Sequence, residues 1–450
     1  MAILLKECSY LVQSPTQVER NIDVLIEGSC ITSIGRNLPH PQDCEIIDAR
    51  NHVVIPGLIN AHTHLYQNMM KGISEGIELV PWCNQVLFPS IDAMRKAIGR
   101  NGRVLPNLWT TLSAIEMIRG GVTSCINMDT IFPEIIHAWE KIGFRGVLAY
   151  TLANKWVPAE LRASESTMKQ QIEDFIARYH HPEGLTTVFP SPSTLFLCTD
   201  DFLQWASRLA KEHNLGMQTH IAETKGEVEE MLAETGRTPV EQLDYLGMLY
   251  DGFSAVHCVH LTPHDIDLLA ASGAQMVHCP KSNMKLADGI APLVEIRKKG
   301  IPVALATDGS ASNDLQDMWE EMRAAVLLTR VANNNAAALL PRDAFDMATV
   351  QAARAAHLDA GQIQPGKLAD IAVIDIHAPH LQPFHDQDIF NMLVFCTKSS
   401  DIRHTIINGE LVMKDRRITK VDENAILQEA AALDVEHMAG RQVFLNSVSS

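Results

Sequence analysis

The sequence predicts an α/β chain: a (β/α)8 TIM-type barrel through the middle, with a small sheet domain assembled from both ends. Three observations predict it. Short β-like runs alternate with helical stretches from about residue 58 to 360, as parallel strands joined by crossovers require. β-rich segments flank that middle on both sides. Histidines and acidic residues fall where several runs end, and barrel sites are built at strand ends. The alternation alone would also fit an open doubly wound sheet.

The elements follow in order. Residues 1–57 contain strand-like stretches, "IDVLIEGSCITSIGR" and "CEIIDARNHVVIPG". The middle has eight β-like runs: "VVIPGLINAH", "GVTSCINM", "FRGVLAYT", "LTTVFPS", "GMQTHIA", "SAVHCVH", "AQMVHCP" and "PVALATD". Between them lie helical segments such as "LWTTLSAIEMIRG" and "DDFLQWASRLAKEH". The second has the apolar spacing of an amphipathic helix. Residues 361–450 return to β-rich sequence in "ADIAVIDI" and "HTIINGELVMKD", where Asn408-Gly409 signals a tight hairpin. The expected division is therefore 1–57 plus 361–450 for the small domain and 58–360 for the barrel.

Hydrophobic content of 46% and charged content of 20% describe an ordinary globular protein. A net charge of −17 without a basic stripe argues against nucleic-acid polymers and anionic membranes as partners. Nine scattered cysteines, none in a C-x-x-C pair, read as reduced thiols. The N-terminus lacks a secretory pattern and no segment approaches a membrane span. A soluble, cytoplasmic protein is expected.

His62 and His64 close the first run, His220 the fifth, His257 the sixth and Asp308 the eighth. Side chains alternate along a strand, so His62 and His64 share a face and can reach one metal ion. H-x-H alone also occurs as strand surface or satisfied core. With His220 and Asp308 the set becomes three nitrogens and an oxygen, which suits Zn2+ or Fe2+. It leaves room for a water whose pKa the ion would lower. Glu223, three residues past His220, can sit near the metal without binding it, as a proton shuttle requires. Its bland alternative is a helix-start carboxylate favoured by the dipole. That is the reading taken for Glu227, Glu229 and Glu230. At most one of His257 and His260 need be functional, and His278 reads as a packed histidine. Asp308 also has the alternative of an Asx-turn or helix cap.

The ordered stretches "PGLINAHTH", "HIAET", "HCVHL", "CPKSNMKLADGIAP" and "TDGSASND" resemble the amidohydrolase superfamily. Within it they resemble the mononuclear-metal deaminase and chlorohydrolase branch. That branch includes methylthioadenosine/S-adenosylhomocysteine deaminases, 8-oxoguanine deaminases and atrazine-type triazine hydrolases. The resemblance implies the barrel, a small β-sandwich built from both termini, and a homodimer or higher homo-oligomer. It implies His62, His64, His220 and Asp308 as metal ligands and Glu223 as proton shuttle. His257 would polarise the attacking water, and Asp308 would double as general base. No lysine ends the fourth run, so one metal is expected rather than a lysine-bridged pair. The implied reaction is hydrolytic deamination of an amino-substituted N-heterocycle of purine, pterin, pyrimidine or triazine type.

Substrate residues are drawn from the same resemblance. Gln67 lies in "HLYQ", which is similar to 8-oxoguanine deaminases, and "NQVLFP" is similar to the triazine hydrolases. Tyr150, Ser193 and either Ile91 or Ser90 stand where the methylthioadenosine deaminases place arginine, histidine and a ribose-binding glutamate. Trp82, Phe88, Phe132 and Trp156 are candidates for a flat pocket, with aromatic core as the ordinary alternative. Nucleoside deamination ranks second and triazine dechlorination third. A metal-free binding scaffold is the non-enzyme alternative, and retention of every expected ligand argues against it.

Overall fold

The expected strand runs all contain strands, and these form two four-stranded parallel sheets. The computed structural model describes residues 2–73, 75–101, 105–129, 133–158 and 162–448. One sheet is ordered Thr186–Pro192, Arg145–Leu152, Val122–Asp129, Leu58–Thr63; the other is Met217–Ile221, Phe253–His257, Gln275–His278, Val303–Leu305. The strand Val122–Asp129 is buried along its whole length, as expected of a parallel strand covered on both faces. Backbone bonds link the sheets at both seams. His220 N donates to Ser193 O at 3.1 Å, and Asp308 N donates to His62 O at 3.1 Å. The helix Asp200–Glu212 buries Phe202, Leu203, Ala206, Leu209 and Ala210, the face its apolar spacing predicts.

The first run divides at Gly57. His52–Pro56 pairs antiparallel with Ile371–Asp375, whereas Leu58–Thr63 pairs parallel with Val122–Asp129. A Cβ on Gly57 would collide with the Thr123 side chain, so the crossing needs glycine.

The chain ends build two further sheets. One holds Cys30–Gly35, Ile22–Glu27, Ala2–Cys8 and Glu45–Asp48; the other has seven strands drawn from both termini. Ile3, Leu5, Val24 and Ile26 from the first share a buried cluster with Val54, Ile371, Val373 and Ile406 from the second. The hairpin between Ile402–Ile407 and Glu410–Lys414 turns at Asn408 (φ 54°) and Gly409 (φ 73°), the left-handed pair its sequence calls for. Arg145, on a central parallel strand, donates from Nε to Asp370 Oδ2 at 2.7 Å and from Nη2 to Asn408 Oδ1 at 3.0 Å. That buried pair ties the terminal sheets to the parallel ones.

The last element departs from the β-rich style expected of this end. Glu423–Val448 is one helix that leaves the sheets. Its Arg441 donates to Ser90 Oγ and to the Gln85 carbonyl, each at 2.9 Å. Among the described residues no helix is long and apolar enough to cross a membrane.

Candidate metal centre and active site

Four side chains converge at the C-terminal ends of the parallel strands. One ligand atom each from His62, His64, His220 and Asp308 lies within 4.8 Å of the others. The backbone is bent to bring them there. Asp308 (φ 63°), His257 (φ 71°) and Ala222 (φ 49°) all adopt left-handed conformations, which cost non-glycine residues roughly 1–3 kcal/mol each and persist only where surroundings hold them. Asp308 is held in this way: its carbonyl accepts from Thr63 Oγ1 at 3.0 Å and from Thr307 Oγ1 at 2.9 Å.

Partners of the imidazoles set their tautomers. His220 Nδ1 donates to Ser193 O at 2.6 Å, and His64 Nδ1 donates to Met128 O. His62 Nδ1 faces Gln218 Oε1 at 3.1 Å, while Gln218 Nε2 donates to Ala61 O at 2.7 Å and so fixes that amide. Each Nδ1 carries the proton, and each Nε2 lone pair is free to bind a cation. His62 Nε2 is buried without a hydrogen-bond partner, as suits a nitrogen that would ligate a divalent cation. Asp308 is divided likewise. Its Oδ2 accepts from Ser282 Oγ at 2.6 Å and Ser312 Oγ at 2.9 Å, and its Oδ1 faces His62 and His64 Nε2 at 3.5 and 3.4 Å. Burial would raise this carboxyl, but His62 and His64 hold it well below the usual range. The donor set therefore fits the expected metal.

Glu223 and His257 stand beside the set, with Glu223 Oε1 3.5 Å from His257 Nε2. Burial, then the charges of Asp288, Asp308 and Glu227, push the Glu223 carboxyl well above its ordinary value. That direction favours the protonated form of the carboxyl. Burial pushes His257 down to about 4, and its Nδ1 donates to Asn283 Oδ1 at 2.8 Å. Nε2 is left facing the cavity as an acceptor. His260 turns away, bonding the Asp288 carbonyl at 2.7 Å, and His278 is a buried packing residue.

These groups close the inner end of a cavity of about 860 Å3, measured to its open mouth and lined also by Gln67, Trp82 and Ser193. Phe88, Trp156 and Phe196 form part of its wall, with Trp156 ring contacts of 5.8 Å to Phe88 and 6.2 Å to Phe196. Phe132 lies outside the described residues. Tyr150 does not line the cavity. Its hydroxyl donates to Gln171 Oε1 at 2.8 Å on the helix side, and the next residue, Thr151, lines the cavity instead. Ser90 and Ile91 are likewise buried away from it.

Glu227 corrects an expectation. Glu229 and Glu230 are exposed, but Glu227 is buried and accepts from the Ala222 and Glu223 N–H groups at 3.1 and 2.8 Å. Sequence reasoning also missed Gln218, Ser282 and Asn283. Gln218 alone left a signal, since it lies two residues before His220 on the same strand face.

Gly309 has a specific use here: a Cβ would collide with the Gln67 amide, whose Oε1 lies 3.4 Å from Ala311 N. Gly309→Ala is expected to push Gln67 out of place and raise KM by about tenfold. Thermal stability should change little, because the clash is with the far end of a flexible side chain. Steady-state kinetics beside a melting curve check this.

Three strand-end imidazoles and a carboxylate within reach of one ion, with a second buried carboxyl beside them, are the groups a metal-dependent hydrolytic enzyme requires. The chain belongs to the Amidohydrolase family, whose pattern matches residues 53–412. It is 36% identical over 409 residues to a 5-methylthioadenosine/S-adenosylhomocysteine deaminase of Pyrococcus furiosus, covering 90% of this chain and 94% of the relative. It is 35% identical over 412 residues to a 5'-deoxyadenosine deaminase of Methanothrix thermoacetophila, covering 91% and 94%. A crystal structure of an adenosine deaminase from Xanthomonas campestris with bound zinc superposes with a TM-score of 0.89 at 25% identity, covering 97% of this chain and 98% of that one.

Proposed function

We propose that this amidohydrolase holds one divalent cation, zinc on donor chemistry, and replaces the amino group of an N-heterocycle by oxygen, releasing ammonia. The observation that carries this is Glu223 beside His257, 3.5 Å apart at the cavity wall, next to the three-histidine, one-aspartate set. When bound by His62, His64, His220 and Asp308, the cation acidifies water and supplies a nucleophile near neutral pH. Asp308 accepts the proton of the attacking water, and His257 Nε2 orients that water by accepting a hydrogen bond. Glu223 delivers its proton to the ring nitrogen next to the attacked carbon. The carbon–nitrogen bond to the amino group then breaks, ammonia leaves with the proton Asp308 took up, and the hydroxyl proton returns to Glu223 as the new carbonyl forms. Trp82, Phe88 and Trp156 suit the face of a flat ring, and Gln67 and Ser193 supply polar contacts at its edge.

A nucleoside substrate is the second reading, favoured by the names of the relatives at 36% and 35% identity. In the same reading the two parallel sheets make one closed (β/α)8 barrel, and the terminal sheets make a small β-sandwich. The seam bonds at His220 and Asp308 and the shared apolar cluster of the terminal sheets support this.

The test is ammonia and chloride release by the zinc-loaded protein across aminopurines, oxidised guanines, pterins, aminopyrimidines, 5'-deoxyadenosine, methylthioadenosine and chlorotriazines. Ammonia from free bases with higher kcat/KM than from nucleosides is expected. The reverse order would establish the second reading, and chloride alone would replace both by dechlorination.

A further inference from the structure

Glu227 is a buried carboxylate for which the reaction above has no use. It does not line the cavity, yet it is only 8% exposed. It sits in the first turn of the helix Lys225–Thr235, where Thr224 caps the end and accepts from Glu227 N at 3.1 Å. A glutamate at that position ordinarily reaches back to the N–H of the capping residue. Here it reaches further. Its Oε1 accepts from Ala222 N at 3.1 Å and its Oε2 from Glu223 N at 2.8 Å. Left-handed Ala222, with φ 49°, turns these two consecutive N–H groups into one concavity that suits an anion. The carbonyl side of the same turn is held by the loop after the strand Phe253–His257, since Val259 N and His260 N donate to Ala222 O at 3.0 and 2.9 Å.

We propose that Glu227 is the positioning residue for Glu223: its carboxylate clamps the Ala222–Glu223 turn and fixes the direction in which the Glu223 carboxyl leaves the backbone toward His257. This rests on the assignment of Glu223 as the proton carrier. A carboxylate is the side chain that the geometry requires. Two N–H donors need two acceptor oxygens, which the ionised carboxyl supplies; burial raises Glu227 to about 7, and the Glu223 and Ala222 N–H bonds work against that rise. Glutamine keeps the volume but turns an NH2 group toward one of the donors.

Zinc-loaded Glu227→Gln is expected to keep its metal and its KM while kcat for ammonia release falls on the order of 100-fold, the cost of a misplacement of about 1 Å. In crystals of the variant the Glu223 Oε1 to His257 Nε2 separation should lengthen from 3.5 Å. In a Glu223→Gln background the second substitution should cost nothing more, because the group being positioned is gone. If the glutamine variant fails to fold, Glu227→Asp keeps the charge with a shorter reach and should show the same split. Unchanged kcat, an unmoved Glu223, or equal losses in both backgrounds would reduce Glu227 to a helix cap and overturn the proposal. Full activity of Glu223→Gln alone would instead remove the assignment on which it rests.

Discussion

Asp308→Asn is expected to lower kcat/KM for ammonia release by about 10⁴-fold, the upper range for loss of a positioned acid–base group. The substitution preserves shape and removes charge. Asp308 Oδ2 is already saturated by Ser282 and Ser312, at 2.6 and 2.9 Å, so the side chain cannot turn without abandoning those bonds. The other oxygen faces His62 and His64. Asparagine must present either an uncharged oxygen to the cation or an NH2 group that repels it, and neither accepts the proton of water. Metal analysis of the variant separates the two losses. Reduced metal content marks the ligand role, and inactivity at full metal content marks the base. Activity at the wild-type rate would remove Asp308 from the mechanism.

Asp370→Ala is expected to destabilise the fold by about 3–5 kcal/mol, the penalty for leaving one member of a buried ion pair without its partner. Arg145 and Asp370 side chains are 1% and 2% exposed, so solvent cannot replace the lost carboxylate. The Asn408 N–H, 2.7 Å from Asp370 Oδ1, loses its acceptor too. Because the pair joins a central parallel strand to the terminal sheets, the loss should appear as a lower urea midpoint. Replacing both residues by apolar ones should recover much of it, since two buried charges then disappear together. A midpoint unchanged in Asp370→Ala would show that this contact does not hold the two parts together.

What the sequence made legible was whatever obeys local periodicity. The alternation of runs and helices, the Asn408-Gly409 turn and the shared face of His62 and His64 all follow from spacing along the chain. Contacts made across the fold did not show. Ser282 and Asn283 lie on the short helix Pro280–Lys285, which sets one against Asp308 and the other against His257. No spacing rule relates residues 26 apart on different elements. Tyr150 illustrates how sharply strand geometry punishes a slip: one position along, Thr151 faces the cavity while Tyr150 faces Gln171. Among the glutamates after His220, only the left-handed turn at Ala222 decides that Glu227 bends inward. The C-terminal helix hides for another reason. Leu433 and Arg441 are buried while Leu427 and Val435 are exposed, so its apolar residues mark no single face.

The most direct test of a metal-dependent deaminase is restoration of activity to the chelated protein by titrated zinc. Ammonia release from the best heterocycle of the panel should rise linearly and saturate at one zinc per chain, and His64→Ala should abolish the response. Undiminished ammonia release from metal-free protein, or saturation with zinc and no ammonia from any heterocycle tested, would contradict the account.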